Sequence, residues 1–449
     1  MLITTDTLMM NNSTLVITED PIVESPERTT AKQSISKKSV AAAVAGNALE
    51  FYDFVIYAYF AIYIGKAFFP VSGEYGSLMA AAATFGVGFL ARPLGGVLIG
   101  AFADKAGRKP AMILTAALIT LGTVGVAVTP SYEAIGIAAP IFVVICRLLQ
   151  GLALGGELGP ATSLLIEAAP AGRRGYYASW QVASQGLAVA VGGMLGVLLS
   201  LNLTDEQLAS WGWRVPFLLS LVLIPLVVYM RKSLPETHEG AQERSGSAIV
   251  GEVLRHHKKV LIVGVLLFAS IAVASQIGNY MVSYAVQVLK LPAAVAQSSV
   301  LIGGIVTFAF SLIGGHLSDR YGRRLTNILP RVALTLLIVP LFLWLTGSPS
   351  LVTLLTVNAV IAALTAMFGA AGIVQVPELL PIAVRSTGLS IAYAFGAAIF
   401  GGSTQFVVTW LIAVTGSPMA PAWYLVGISV LSLIAMRLLP ESRTANVQE

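Results

Sequence analysis

Long apolar runs separated by short polar loops make up the chain from about residue 40 to residue 438. A helix that crosses a lipid bilayer needs about 20 mainly apolar residues. Twelve runs approach this length, and they predict an all-α membrane protein with twelve transmembrane helices. The predicted spans cover about 40–69, 76–102, 111–129, 138–168, 176–201, 213–231, 260–288, 294–317, 326–346, 350–376, 386–414 and 420–438.

Three loop motifs occur twice in the sequence. Residues 100–109 and 315–324 both read G-x-x-x-D-[KR]-x-G-R-[KR] and lie 215 residues apart. A second pair begins at Glu167 and Glu378, with Glu, Pro and Arg at equal offsets, and a third pair reads Leu-Pro-Glu from residues 234 and 439. Because internal repetition determines architecture, we expect two pseudo-symmetric bundles of six helices each.

The polar segments divide the chain further. The first 39 residues are polar and lack an apolar core before a small-residue cleavage site, so they do not resemble a secretory signal peptide. The predicted organisation is a disordered cytoplasmic tail at 1–39, a six-helix bundle at 40–231, a cytoplasmic central loop at 232–259, a second six-helix bundle at 260–438 and a cytoplasmic tail at 439–449.

Composition and charge indicate how the chain is placed in the membrane. The sequence is 56% hydrophobic and 11% charged, whereas soluble domains carry about 25% charged residues. With both termini in the cytoplasm, 22 of the 27 Lys and Arg residues fall on the cytoplasmic side. This bias follows the positive-inside rule and predicts a multi-pass protein with both termini in the cytoplasm. The membrane that we expect is a bacterial inner membrane. The exceptions are Lys66, Arg214 and Lys290 outside, and Arg92 and Arg147 within spans.

Five charged residues lie well inside the predicted spans, namely Glu50, Asp53, Arg92, Arg147 and Glu157. A charge at the bilayer centre costs about 2.5 kcal/mol or more, so such residues are functional candidates. Three acids accompany only two bases, and an acid that lacks a partner in a low dielectric can carry a proton near neutral pH. The three acids are therefore candidates for proton coupling.

The first predicted span has a polar face. Asn47, Glu50 and Asp53 recur every three residues, and Tyr57 follows four residues later, which places all four on one side of a helix. Two carboxylates one turn apart repel each other, and this favours protonation of one of them. The alternative is that Glu50 is a structural group that binds a neighbouring helix.

Arginines in two spans are candidates for anion binding. Arg147 lies beside Gln150 and Glu157 on the fourth span. Its guanidinium is suited either to neutralise Asp53 or to hold a carboxylate of a substrate in a two-pronged contact. Arg92 is the second candidate, with the alternative that it only extends toward the cytoplasmic interface.

Polar side chains at helical spacing mark two further spans. Such a face either binds neighbouring helices or lines water, and six polar residues on the seventh span exceed what packing usually needs. We therefore favour a central cavity. The fifth span contributes Gln181, Ser184 and Gln185, and the seventh contributes Gln276, Asn279, Tyr280, Ser283, Tyr284 and Gln287.

Several other classes of protein are disfavoured. The four His residues have no metal-ligand spacing, and the single Cys146 rules out an intrachain disulfide. No phosphate-binding loop of the G-x-x-x-x-G-K-[ST] type is present, and no nucleophile–base set appears within a span. We expect a carrier driven by an ion gradient, without metal or cofactor, and nucleic acid is not an expected partner.

The repeated loops resemble the signature loops of the major facilitator superfamily of secondary transporters. In that superfamily the loop Asp and Arg latch neighbouring helices in one state of the transport cycle. The alternative is that these residues only anchor the topology. The resemblance implies gating roles for Asp104, Arg108, Asp319 and Arg323, together with Glu167, Arg174, Glu378 and Arg385 of the second motif pair.

Other motifs resemble the metabolite:proton symporter family, which carries citrate, tricarballylate, α-ketoglutarate, shikimate and betaine-type osmolytes. They lie at 46–54, 92–96, 147–157 and 211–216, and the segment 179–185 is most similar to citrate and tricarballylate carriers. The resemblance implies proton-linked acids at Glu50 and Asp53 and substrate-facing bases at Arg92 and Arg147, which agrees with the local chemistry.

Together these features predict a proton-coupled importer of an organic anion with two or three carboxylates. The two halves would rock about a site near mid-membrane, and the protein would function as a monomer. The same machinery could instead carry shikimate, another aromatic acid or a betaine-type zwitterion. A membrane sensor is a third possibility, although the short central loop carries no signalling domain. The expected substrate-binding side chains are Arg92, Arg147, Asn47, Tyr57, Gln150, Gln181, Gln185, Asn279, Tyr280 and Tyr284.

Overall fold

A computed structural model describes residues 37–71, 73, 75–106, 108–155, 162, 165–166, 168–221, 246–438 and 440–442. Within these residues the chain is helical and contains no strand. Several predicted features lie outside the described residues: Glu157, Glu167, the Leu-Pro-Glu motif at 234–236, residues 222–245 of the sixth span and central loop, and most of both terminal tails. The side chains of Asp104 and Arg108 also lie outside them, although both residues belong to described helices.

The first half contains the helices that we name spans 1 to 6. Short helices at Tyr132–Ile135 and Asp205–Ser210 and a 3₁₀ turn at Gly212–Arg214 lie between them. Span 1 is Lys37–Tyr59 and Ala61–Phe68, span 2 is Gly76–Leu90 and Arg92–Ala106, span 3 is Arg108–Val128, span 4 is Ala138–Leu154, span 5 is Arg174–Asn202 and span 6 is described at 215–221.

The second half repeats this order as spans 7 to 12. A helix at Gly246–His256 precedes it, inside the segment that the sequence predicted to be a loop. Span 7 is Lys258–Gln287, span 8 is Ala293–Tyr321, span 9 is Arg323–Gly347, span 10 is Leu351–Glu378, span 11 is Ile382–Phe395 with a π-helical turn at Gly396–Gly401 and Gly402–Thr415, and span 12 is Ala420–Met436.

Length and apolar character support a membrane location for these helices. Seven described helices are long and apolar enough to cross a membrane, and an eighth qualifies if the two pieces of span 1, bent by 65°, are counted together. The described apolar parts of spans 3, 4 and 12 are shorter, at Ile113–Val128, Ala138–Leu154 and Ala420–Met436.

Glycines bring the two halves into close contact along spans 5 and 8. A Cβ atom at Gly186 would lie 2.5 Å from the backbone nitrogen of Phe308, and one at Gly193 would lie 2.5 Å from that of Leu301. No larger residue fits at either position without moving the backbone, which explains why small residues are used where membrane helices touch. Spans 5 and 8 therefore form a tight seam between the halves.

The halves are also joined by hydrogen bonds at both ends of this seam. On the side that carries the repeated loops, which we call the loop side, Asp319 of span 8 bonds to the start of span 5. On the opposite side, the Gln297 side chain of span 8 donates to the backbone carbonyl of Tyr59 in span 1. The space enclosed between these two sets of contacts is where a central site would lie.

Candidate functional site

An internal cavity of about 110 Å³ lies between the two halves. Spans 1, 2 and 5 of the first half line it, and spans 7, 8, 10 and 11 of the second half complete it. Because both halves contribute walls, a rocking motion would open or close this space. Its polar lining consists of Arg92, Gln185, Ser275, Gln276, Asn279, Thr307, Asn358, Thr365 and Tyr393.

Arg92 is the cation of the cavity. Its side chain is buried, and its guanidinium carbon lies 4.0 Å from the ring centre of Phe89 and 4.5 Å from that of Phe54. The hydroxyl of Tyr393, from span 11, faces the guanidinium from the other half. Among the described residues, no carboxylate forms an ion pair with Arg92. Among the residues that the structure describes, the positive charge of Arg92 is therefore not balanced by a carboxylate.

Arg147 lies behind the cavity wall and does not line this cavity. It is completely buried in span 4, and its guanidinium carbon lies 4.5 Å from the ring centre of Tyr57 and 5.0 Å from that of Phe54. Phe54 therefore contacts the guanidinium groups of both Arg92 and Arg147. Cation–π contacts of this kind contribute about 0.5–2 kcal/mol each, so one aromatic ring links the cavity cation to the buried one.

A chain of polar side chains connects Arg147 with Asp53. Arg147 donates to the Gln150 Oε1 atom at 2.5 Å, and Gln150 donates from Nε2 to the Thr123 hydroxyl at 2.8 Å. The buried carboxylate of Asp53 lies beside the hydroxyls of Thr123 and Ser220. Within the described part of the chain, Asp53 and Arg147 form no ion pair with each other. Their interaction is therefore indirect.

The remaining polar residues of span 1 bind their neighbours. Asn47 donates from Nδ2 to the Ser184 hydroxyl at 2.6 Å and accepts at Oδ1 from Gln181 at 2.8 Å. This pairing satisfies the polar faces of spans 1 and 5 against each other, whereas Gln185 lines the cavity. Glu50 is buried one turn before Asp53.

The polar face of span 7 is divided between two environments. Gln276 and Asn279 line the cavity. Tyr280 accepts from the Thr409 hydroxyl at 3.0 Å, and Tyr284 donates to the Pro418 carbonyl at 2.7 Å. The two tyrosines thus pack toward the end of span 11 and the loop that follows it, and they are absent from the lining of this cavity.

The repeated loop of the second half attaches directly to the first half. The Asp319 carboxylate accepts the backbone N–H groups of Gly175 and Tyr176, each at 2.8 Å, at the start of span 5. A helix N-terminus carries partial positive charge and favours such an anion. Arg323 contacts Asp319 at 2.7 Å and binds both oxygens of Glu378 at 3.0 Å. These residues form a clamp on the loop side.

Further contacts support this clamp. The Glu441 carboxylate accepts the backbone N–H groups of Arg323 and Arg324 at 2.8 and 2.9 Å, and the Ser442 hydroxyl donates to Glu378 at 2.7 Å. Arg385 donates to the Pro377 carbonyl at 2.8 Å, and Arg174 is exposed.

Two features of the second half were missed by sequence reasoning. The first is Arg331, which sequence reasoning counted among the cytoplasmic bases. The structure buries it completely within span 9, eight residues after the first residue of that span. Its guanidinium carbon lies 4.4 Å from the ring centre of Phe368. Asn358 and Thr365 of span 10 line the cavity. Their spacing of seven residues was the available signal, since it places both on one face of the helix.

Two membrane bundles that meet around a central cavity, with contacts between them on both sides of it, define a secondary transporter that works by alternating access. The profile of the Major Facilitator Superfamily matches residues 43–400. The chain belongs to this superfamily, and its fold is the twelve-helix fold of two six-helix bundles. The protein is a transporter and not an enzyme.

Comparison with individual proteins agrees with this assignment. The chain is 36% identical over 399 residues to a citrate-proton symporter of Salmonella typhi, covering 88% of this chain and 92% of that protein. It is 34% identical over 421 residues to a putative proline/betaine transporter of Staphylococcus aureus (strain COL), covering 90% and 88%. It is 32% identical over 416 residues to an alpha-ketoglutarate permease of Escherichia coli (strain K12), covering 89% and 93%.

Among solved structures, the crystal structure of a D-xylose-proton symporter superposes with a TM-score of 0.75. The match covers 90% of this chain and 98% of that one, at 19% sequence identity. At this level of identity the likeness concerns the fold alone.

Proposed function

We propose that this protein is a proton-coupled symporter that imports a small organic anion with two or three carboxylates. It would lie in a bacterial inner membrane with both termini in the cytoplasm, act as a monomer, and use protons without any cofactor. The observation that carries the proposal is the position of Arg92. It is a buried cation in a cavity between the halves, and no carboxylate of the described residues pairs with it.

An anionic substrate would supply the missing negative charge. Holding an unpaired cation in the membrane interior is costly, and a planar guanidinium matches a carboxylate through two parallel hydrogen bonds. Gln185, Gln276 and Asn279 add amide groups, and Tyr393 adds a hydroxyl beside the guanidinium. Amides and hydroxyls can donate to further carboxylate oxygens. The lining therefore suits a ligand with more than one carboxylate. Citrate and α-ketoglutarate, named in two of the relatives, are such ligands.

Proton coupling would operate through Asp53. An ionised carboxylate at this buried position has no partner cation in direct contact among the described residues, and a proton would remove the cost of burying its charge. Protonation would also remove the negative charge that Arg147 senses through Gln150 and Thr123. The two guanidinium groups beside Phe54 would then present a stronger positive potential to the cavity, which favours entry of the anion.

The membrane potential favours a high ratio of protons to substrate charges in each transport cycle. Moving one net positive charge inward gains about 2.3 kcal/mol per 100 mV. A cycle that carries more protons than substrate charges would therefore be driven by the potential as well as by the pH gradient.

Proteoliposomes test this function. We expect the purified protein to accumulate citrate or α-ketoglutarate when the outside is acidified, and Asp53→Asn to abolish accumulation while citrate exchange across the membrane persists. Arg92→Gln should abolish exchange as well, whereas Arg92→Lys keeps a charge without the two-pronged geometry and should retain weak exchange. Uptake that ignores both the pH gradient and Asp53→Asn would refute the proposal.

A zwitterionic substrate is the second candidate. Three phenylalanine rings, of Phe51, Phe89 and Phe268, line the cavity besides Tyr393, and aromatic faces bind quaternary ammonium groups. The similarity to a putative proline/betaine transporter points the same way. Against it, Arg92 would repel the ammonium group. Competition of labelled citrate uptake by unlabelled glycine betaine separates the two, since an anion site should show no competition.

A further inference from the structure

Span 10 offers the cavity two polar atoms that have no hydrogen-bond partner within the described part of the chain. They are the Asn358 Oδ1 atom and the Thr365 Oγ1 atom. Both side chains line the cavity, and their exposed fractions are 1% and 6%. Buried polar groups are almost always hydrogen-bonded, so two unsatisfied atoms on the same wall indicate that a ligand provides the partners.

The orientation of the Asn358 amide determines what kind of partner is missing. Its Nδ2 atom donates to the backbone carbonyl of Ser299 at 2.7 Å, which fixes Oδ1 as the atom left free. An amide oxygen only accepts hydrogen bonds. The missing partner is therefore a donor, and an ionised carboxylate has no hydrogen to give.

Glycines keep space open beside this amide. A Cβ atom at Gly278 would lie 3.4 Å from Asn358 Oδ1, and one at Gly303 would lie 2.9 Å from Asn358 Nδ2. Both glycines line the cavity. Because neither glycine carries a side chain, these walls leave room for a small ligand group, such as a hydroxyl, beside the amide, whose oxygen is itself buried.

We infer that Asn358 is a specificity-determining residue that accepts a hydrogen bond from a hydroxyl group of the substrate. Thr365, about two turns along the same face, has a hydroxyl that donates to one of the substrate carboxylates. The preferred cargo is then a hydroxylated polycarboxylate, in place of a polycarboxylate without a hydroxyl. This inference rests on the proposed function, because it assumes that the cavity holds an organic anion.

Citrate and tricarballylate differ only by the hydroxyl group and test this directly. Uptake of labelled citrate into proteoliposomes is measured at one fixed pH gradient, with unlabelled citrate or tricarballylate as competitor. We expect half-inhibition by tricarballylate to need at least about ten-fold more competitor, because a site built for a hydroxyl leaves its acceptor unpaired with the analogue. Equal competition by the two acids overturns the inference while leaving the proposed function intact.

Variants test the residue itself. In Asn358→Leu we expect the difference between the two acids to fall to about three-fold or less, with citrate weakened and tricarballylate unchanged. Ser299→Ala is the matched control, since within the described residues the Ser299 hydroxyl donates to the Ala296 carbonyl alone and Ser299 does not line the cavity. This variant should keep the wild-type difference. An equal loss for both acids in Asn358→Leu would overturn the inference.

The remaining outcomes are also decisive. If Asn358→Leu does not fold, the wild-type comparison still decides, because it needs no variant. If the wild-type protein transports neither acid but accumulates α-ketoglutarate under a pH gradient, this inference fails while the proposed function stands. If it transports none of the three acids under any pH gradient, the proposed function fails, and this inference fails with it.

Discussion

Substitution of Asp319 by Asn should open the loop side of the transporter. In the structure, the Asp319 carboxylate accepts two backbone N–H groups from the start of span 5, at Gly175 and Tyr176. Hydrogen bonds to charged groups contribute about 1.5–3 kcal/mol each, and an Asn side chain keeps one neutral acceptor worth about 1 kcal/mol. The clamp would lose at least about 2 kcal/mol, which corresponds to roughly a 30-fold shift between closed and open states.

Thiol labelling provides the assay. Cys146 is the single cysteine of the chain and is buried, so Cys146→Ala removes the background. A cysteine introduced at Val182, which lines the cavity on span 5, then reports access from the loop side. We expect Asp319→Asn to raise the labelling rate of this cysteine from the loop side by at least about ten-fold. This is somewhat below the roughly 30-fold shift in the equilibrium between closed and open states.

The control for this experiment is Glu441→Gln. Glu441 also accepts two backbone N–H groups, but those of Arg323 and Arg324 belong to the same half of the protein. The Glu441→Gln variant should lower thermal stability, and it should change the labelling rate much less than Asp319→Asn does. The labelling rate in Asp319→Asn could instead stay within about two-fold of the rate in the protein that keeps Asp319, well short of the expected ten-fold increase. That result would show that these bonds do not hold the loop side closed.

Three further predictions concern the rest of the central structure. Gln297→Leu removes the hydrogen bond to the Tyr59 carbonyl and should increase labelling of cavity cysteines from the opposite side; unchanged labelling would contradict this. Gly186→Ala places a methyl group 2.5 Å from a backbone nitrogen of span 8 and should reduce transport at least ten-fold, whereas Gly427→Ala, with nothing within 4 Å, should be neutral. Phe54→Leu removes two cation–π contacts and should raise the KM for citrate at least about five-fold, with protein yield as the control; an unchanged KM would exclude a role for the ring.

The architecture could be predicted from sequence because it depends on features that extend over many residues. Apolar runs of about twenty residues and repeated loops can be recognised without knowing how each helix is rotated about its axis. The twelve-helix prediction was confirmed by the family assignment. Arg92 was also identified as a substrate-facing candidate, since a charge in a membrane span must be buried or paired. Its place in the cavity lining agrees with that expectation but does not establish the role.

Contacts between helices were harder to predict. The spacing of Asn47 and Gln181 shows that each lies on a polar face, but only the packing of spans 1 and 5 shows that the two faces satisfy each other. Tyr280 is similar, because a small rotation of span 7 decides whether it meets Thr409 or the cavity. Asn358 was overlooked, because the seven-residue spacing that relates it to Thr365 was not recognised as a polar face of span 10.

The support that Glu441 and Ser442 give to the clamp has a consequence for biosynthesis. Glu441 follows Arg323 by 118 residues, so a ribosome translates the clamp loop long before the groups that cap it. During that interval Arg323 and Glu378 lack these partners, although the bonds of Asp319 to span 5 need only spans 5 and 8. The clamp loop therefore receives its full set of hydrogen bonds only after the twelfth helix has been made.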